Sequence, residues 1–509
     1  MEKSKAFLLG PDQNIEVDLA VLGTRDFTWP GSSLVLHDLI QSLSRFLAVT
    51  FLESPTPGNR ALFLKKGFYL GVATWLYYRH AQNCLKKTAI PGLRLINHGS
   101  TPVMVHGRNL LFSRFDKSSP LKKSVARLGQ IALLRLIDLL HLPRPLVCLN
   151  NLRIPNDVPC VWTWRVRNPY SFMERSQPLS REESQSVLTA LEGLSTFLEG
   201  LCNQYGLMVS RQDLQPLLAT FIHPQLEGAL RDFNHMMKIF RGRPMDCFLG
   251  SLSPYSAGLL AMACKENGGK VHASEHADYH FRIVNMLILV DLINADTFHC
   301  GTPVRARRLR EASERHPLTF TCDIRWLHED RQDDFTPMAP PWSGTNKTIM
   351  VMGIICNPEN PRGNLALLPI LDFEVRLCHS LLAWGYRVIY KVHPESTWNG
   401  HEELFGPEVR VERAPFEKVW SQADAYTILL AQSTTTMLIW RTDRPVYLFW
   451  QAHLEPFDAD SITNIQRRCE VIPGEFDAAN RIQIDFDRLQ TRLKDPKPWD
   501  RESARELSN

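Results

Sequence analysis

The 509-residue sequence contains no CxxC pair, and its eleven cysteines, among them Cys84, Cys148, Cys202, Cys264 and Cys378, follow no zinc-like spacing. An odd, scattered set in a large chain argues against a disulfide scaffold and fits reduced thiols that pack as small hydrophobes. The chain also lacks a signal-peptide core. Its first apolar run, Ala6-Phe7-Leu8-Leu9-Gly10, is broken by Pro11 and Asp12 and reads instead as a first strand. Nor is there a long apolar stretch, since the closest, Gly67 to Tyr78, is about twelve residues against the roughly twenty needed to cross a bilayer. A buried helix is expected there. Charge of one sign is missing too: a net charge of +4 is small for this length, so charge alone makes no case for a nucleic-acid partner. No internal repeat or low-complexity tract is present. The expectation is a cytoplasmic protein. Leu121 to Leu142, a Leu/Ile face with Lys122, Lys123, Arg127 and Arg135 behind it, reads either as a core-facing helix or as a contact to an anionic inner-membrane surface.

What is present is ordinary in bulk, 44% apolar and 22% charged, and exceeds in length what one hydrophobic core serves. Two domains follow, and a cleft between them. The last third reads most clearly. Thr348 to Ile355 is β-rich and ends at the turn Asn357-Pro358-Glu359-Asn360-Pro361; Leu367 to Trp384 has helical spacing and stops at Gly385; Tyr386 to Val392 alternates as a strand. The pattern repeats through a strand at Val409–Glu412, a helix opened by Pro415, a strand at Ala425–Leu430, a helix over Thr434–Arg441 and a strand within Arg444–Trp450. Strands alternating with helices at this spacing predict a parallel, doubly wound sheet.

Upstream, Met245–Leu249, Lys270–Ser274 and Ala295–Gly301 read as strands, with helices over Pro254–Glu266 and Val304–Arg315 between and after them. Ser180-Arg181-Glu182-Glu183 has the form of a capping box opening a long helix towards Tyr205. Asp323 to Lys347, charged and then rich in proline, is the best linker. The expected fold class is therefore α/β, with an amino-terminal α/β domain over residues 1–325, a linker over 326–346, a carboxyl-terminal α/β domain over 347–495 and a tail over 496–509. Residues 11–150 resist assignment.

Two motifs stand where strands hand over to helices. In Tyr390-Lys391-Val392-His393-Pro394-Glu395, proline fixes the loop exit, the imidazole can donate to a phosphate or sugar oxygen, and Lys391 adds a positive charge if it points into the cleft. In Gln432-Ser433-Thr434-Thr435-Thr436, hydroxyls and backbone N–H groups suit an anionic phosphate without a metal, although one hydroxyl would suffice merely to cap a helix. Together they mark a nucleotide-using enzyme. Glu275 and His276, after the strand ending at Ser274, form a pair able to act as base and to orient or stabilise a leaving phosphate. Ser251 and Ser253 face the cleft by topology, as substrate contacts or as helix caps. The set His272, His276, His280 is not read as a zinc site, because its β-like lead-in prevents the rings from sharing a helix face. Asp246, at the start of a strand, reads from its position alone as structural.

On the His393-Pro394 and Gln432–Thr435 motifs, the chain resembles bacterial GT-B glycosyltransferases of capsule and lipopolysaccharide biosynthesis, particularly CMP-sugar transferases of the Kdo type. The resemblance implies two Rossmann-like domains facing a central cleft, with the CMP portion of the donor held by His393, Pro394, Gln432, Ser433, Thr434 and Thr435, to which the reading of strand alternation adds Lys391. It implies transfer of a sugar from a CMP-linked donor to a bacterial surface glycan or lipid-linked acceptor, with no cofactor and no metal. Where related proteins carry a glutamine-histidine-glycine turn, this chain has Glu275-His276-Ala277. The resemblance further suggests Asp246 as a nucleophile, with Glu174 and His280 beside it, and His280 as a substrate contact. A UDP-sugar transferase or epimerase, a polyol-phosphate transferase and a non-catalytic glycan-assembly partner remain open on the same architecture.

Overall fold

Strands with apolar residues on both faces must be covered on both faces, and the chain builds two sheets of this kind. The structure is a computed structural model, described here for residues 6–9, 15–65, 68–95, 146–149, 163–166, 178–240, 244–250, 252, 255–274, 291–301, 303–314, 321–326, 347–357, 367–429, 434–440, 442–452 and 459–496. Strands β1 (Ala6–Leu9), β2 (Ile15–Asp18) and β3 (Leu93–Leu95) form a small antiparallel sheet. Strands β4 (Leu146–Leu149), β5 (Thr163–Val166), β6 (Cys247–Leu249), β7 (Val271–Ser274), β8 (Thr297–Cys300) and β9 (Asp323–Trp326) form a six-stranded parallel sheet in the order β5-β4-β6-β7-β8-β9. β10 (Thr348–Met352), β11 (Arg387–Lys391), β12 (Val409–Glu412), β13 (Ala425–Ile428), β14 (Val446–Trp450), β15 (Glu470–Phe476) and β16 (Ile482–Ile484) form a third sheet in the order β12-β11-β10-β13-β14-β15-β16. Its pairings are parallel except for β15 with β16, so the fold is α/β with one parallel and one mixed sheet.

The alternation of side chains explains the layers of the third sheet. Met350, Ile389, Tyr426, Ile428 and Leu448 share one face with residues of the helices Phe416–Val419, Thr434–Trp440 and Ala459–Arg468. Ile349, Val351, Val388, Tyr390 and Tyr447 belong to the opposite core, with Phe373 of helix Leu367–Ala383 and Leu489 of helix Phe486–Lys494. A period of two along each strand sends successive residues to opposite helix layers.

Residues 15–95, where the sequence pattern assigned only the buried helix near Gly67 to Tyr78, supply a helical module. Helix Ser33–Glu53 has the length and apolar content to cross a bilayer, a property the search for long apolar runs missed because polar residues interrupt it. Leu36, Leu39, Leu43 and Leu47 nevertheless bury one stripe in the core, and Phe46 stacks on Phe197 with ring centroids 4.2 Å apart. That partner lies on helix Arg181–Gln204, opened by the expected capping box: Glu183 N–H donates to Ser180 Oγ at 3.1 Å, and Ser180 N–H to Glu183 Oε2 at 2.8 Å. The expected buried helix is Phe68–Lys87, with Val72, Leu76 and Tyr77 in the core.

The same module grips the third sheet. Trp29 N–H donates to Ala479 O at 3.2 Å, Asn480 Nδ2 donates to Trp29 O at 2.8 Å, and Gly23 N–H donates to Asp372 Oδ1 at 2.9 Å. Asp372 is fully buried and also receives Arg376 at 2.9 Å and Arg481 at 3.4 Å. Gly23 is required there: its φ is 81°, and a Cβ would lie 2.5 Å from Val375 Cγ1. One correction concerns the linker. Asp323–Trp326, expected at its start, is β9 and pairs in parallel with β8. Residues 327–346 and the segment Leu121 to Leu142 lie outside the described residues, as does the tail from 497.

Candidate nucleotide site

In a doubly wound sheet the crevice opens at the carboxyl ends of the strands where the strand order reverses. Counted from β10, the third sheet runs 3-2-1-4-5-6 before its antiparallel edge, so the reversal lies between β10 and β13. The loop after β10 is therefore central. It is flanked by the loop after β11, which carries His393-Pro394, and by the connection after β13, which leads to Gln432–Thr436.

The first two loops are laced together. Gly353 N–H donates to Lys391 O at 3.0 Å, Cys356 N–H to Ser396 Oγ at 2.9 Å, and Trp398 N–H to Cys356 O at 3.3 Å. Asn357 Oδ1 accepts from both the backbone N–H and the hydroxyl of Thr397, at 2.6 and 2.8 Å. His393 sits in a tight turn, its carbonyl accepting from Ser396 N–H at 2.9 Å and its Nδ1 from Glu395 N–H at 3.2 Å. Half-burial holds the imidazole below its ordinary pKa of 6.5, with Glu395 opposing and Lys391 reinforcing the shift. A neutral ring whose Nδ1 accepts carries its proton on Nε2, which makes it a donor.

Lys391 departs from expectation. It is buried, its ammonium donates to Val392 O at 2.7 Å, and it faces Glu412 and Glu417 rather than an open cleft. Alternation is the reason: Tyr390 points to one helix layer, so Lys391 must point to the other, toward helix Phe416–Val419. Pro394 is exposed beside His393. Thr434 opens helix Thr434–Trp440, Thr435 is half-buried and Thr436 buried; Gln432 and Ser433 lie outside the described residues. The far end of this helix is pinned by Arg468, fully buried, whose guanidinium donates to the carbonyls of Ile439, Trp440, Thr442 and Arg444 at 2.8 to 3.2 Å.

The parallel sheet of β4–β9 also reverses, between β4 and β6. After β6, Leu252 N–H donates to Asp291 Oδ1 at 2.9 Å; Ser251, Ser253, Glu275, His276 and His280 lie outside the described residues, as does Glu174. Asp246 corrects the resemblance. It precedes β6 at the amino end of the sheet, opposite the crevice, and its Oδ1 accepts Lys270 N–H at 2.7 Å while its carbonyl accepts Val147 N–H at 3.0 Å. It joins neighbouring strands and leaves the candidate nucleophile set. His272 is a core residue of β7, its ring 6.2 Å from that of His299 on β8.

Compared with known proteins, the sequence matches no family model and no curated relative. The motifs pointed to the carboxyl edge of the third sheet but passed over Asn357, Ser396 and Thr397, which tie its loops. They also passed over two acids in the apolar first half of a helix, Asp372 and Glu374, and those acids were a visible signal: carboxyl groups at core positions need specific partners.

Proposed function

We propose that the chain is a glycosyltransferase built on two Rossmann-like domains of the GT-B kind. It takes a sugar from a nucleotide-activated donor, CMP-linked, and passes it to a bacterial surface glycan or lipid-linked acceptor. The observation that carries this reading is the position of His393. Its turn leaves β11, the strand next to β10 and one strand from the reversal of strand order, with Nδ1 engaged and Nε2 left as the donor. A phosphate oxygen accepts from such a donor in the ground state and more strongly as the leaving nucleotide gains charge. Gln432 to Thr435 contribute hydroxyls from the other flank. Lys391 acts through the backbone, fastening Val392 O. Glu275 and His276 follow β7 and are the proposed base and its partner toward the acceptor hydroxyl; a covalent route through Asp246 is not part of the proposal.

The test is isothermal titration with CMP, UDP and glycerol phosphate. CMP binds the native chain preferentially, and His393→Ala and Ser433→Ala each weaken it. Preference for UDP or glycerol phosphate would redirect the donor, and unchanged CMP affinity in both variants would remove the site. Turnover of a CMP-sugar separates an enzyme from a binding partner that keeps only the fold.

A further inference from the structure

Beneath the loop after β10 lies a carboxyl group that the proposed chemistry does not use. Glu374, on helix Leu367–Ala383, is only 1% exposed. Its Oε1 accepts Ile354 N–H at 3.1 Å, and its Oε2 accepts the Tyr390 hydroxyl at 2.7 Å. Gly353 makes room for that hydroxyl, since a Cβ there would come within 2.4 Å of Tyr390 Oη. Tyr390 is wedged in turn against Phe405, with ring centroids 4.1 Å apart, and against His401 at 5.6 Å. One side chain thus clamps the second residue of the central loop to the strand that carries His393.

We propose that Glu374 is a positioning residue for phosphate binding, holding Gly353–Asn357 in register with the loop after β11. The proposal rests on the nucleotide reading for its ligand but not for its structural core. Burial, the dominant cause, pushes the Glu374 carboxyl up to about 8, against the opposing pull of Tyr390 and Ile354. At neutral pH it is held as the acid. The titratable groups around it are Tyr390 from β11, Cys356 from the loop and Cys378 from its own helix, with Tyr78 of helix Phe68–Lys87 next to Cys356. Burial raises all four, so none supplies a cation to offset an ionised Glu374.

Loss of the proton leaves a buried charge that has two hydrogen-bond donors, Ile354 N–H and the Tyr390 hydroxyl, but no cation beside it, and opening of the clamp to water relieves it. If only the clamped form binds, the competent fraction falls about tenfold between roughly pH 7 and pH 9. A phosphate monoester, with its second ionisation at about 6, stays doubly charged throughout that window. The carboxylate accepts from the Tyr390 hydroxyl, whereas the acid can turn its Oε2–H toward Tyr390 Oη; glutamine mimics that acid form, its oxygen accepting from Ile354 N–H and its amide donating to Tyr390.

The experiment uses the full chain as wild type, Glu374→Gln and Glu374→Ala. Hydrogen exchange of the peptide spanning the loop after β10 is followed without ligand, and CMP affinity is measured from about pH 7 to pH 9. Expected, once the base-catalysed rise of intrinsic exchange with pH is divided out, are about tenfold less protection in wild type at the upper pH, a matching fall in CMP affinity, neither change in Glu374→Gln, and low protection at all pH values in Glu374→Ala. Identical pH profiles in wild type and Glu374→Gln, or slow loop exchange in Glu374→Ala, overturn the proposal. Wild type that binds no CMP yet shows the predicted exchange pattern defeats the nucleotide reading while the clamp stands.

Discussion

The two large sheets reverse strand order in the same way but hold their carboxyl edges differently. In the sheet of β10–β16, the loops after β10 and β11 are joined through Ser396, Asn357 and Thr397 and clamped from beneath by Glu374. In the sheet of β4–β9, the described edge is held by Asp291 on Leu252, and the acid drawn out by resemblance, Asp246, works at the opposite end. Strand order opens a crevice in both. Among the described residues, side-chain tethers between neighbouring loops are found at the edge of the β10–β16 sheet.

The largest expected effect breaks the comparison at its anchor. Asp372→Ala strands Arg376 and Arg481 and frees Gly23, and should cost about 3–5 kcal/mol in denaturant unfolding; a change within about 0.5 kcal/mol would mean the 15–31 segment is not anchored there. Next is a pH effect. Because the Glu374 carboxyl is raised from 4.5 to about 8 on folding, its contribution is fully present below the unfolded value and is lost as pH rises through 8. Stability should fall on the order of a few kcal/mol across that range, and Glu374→Gln should flatten the slope in midpoints measured over a pH series.

His393→Ala should weaken CMP roughly 10- to 100-fold, the size of a hydrogen bond to a charged group, with the melting temperature unchanged. A fallen melting temperature with intact affinity would recast His393 as structural. The smallest effect belongs to the other sheet. Asp246→Ala removes one backbone tether, so the unfolding free energy should fall by about 1 kcal/mol and CMP affinity should hold. Lost turnover without lost stability would return Asp246 to the chemistry.

Why one sheet was legible and the other only partly so follows from how each is assembled. β10 to β14 come as consecutive βα units, so each strand is announced by the helix spacing around it, and Val409–Glu412 could be read from sequence to the residue. β4 and β5 are four-residue strands separated from β6 by the helices Arg181–Gln204 and His223–Phe240, and short runs so far from their partners carry no periodicity of their own. Site residues divide along similar lines. His393 was visible because a His-Pro pair closely follows a largely apolar strand. The burial of Lys391 depends on which helix layer covers which face, and Glu374 acquires meaning only once Tyr390 and Ile354 are brought to it.

The most direct test of the account is hydrogen exchange of the full chain with and without saturating CMP. Protection confined to peptides covering 353–357, 392–398 and 430–436 is the predicted result. Protection absent there, or concentrated along the carboxyl edge of β6 and β7 instead, would contradict the claim that the crevice beside β10 holds the nucleotide.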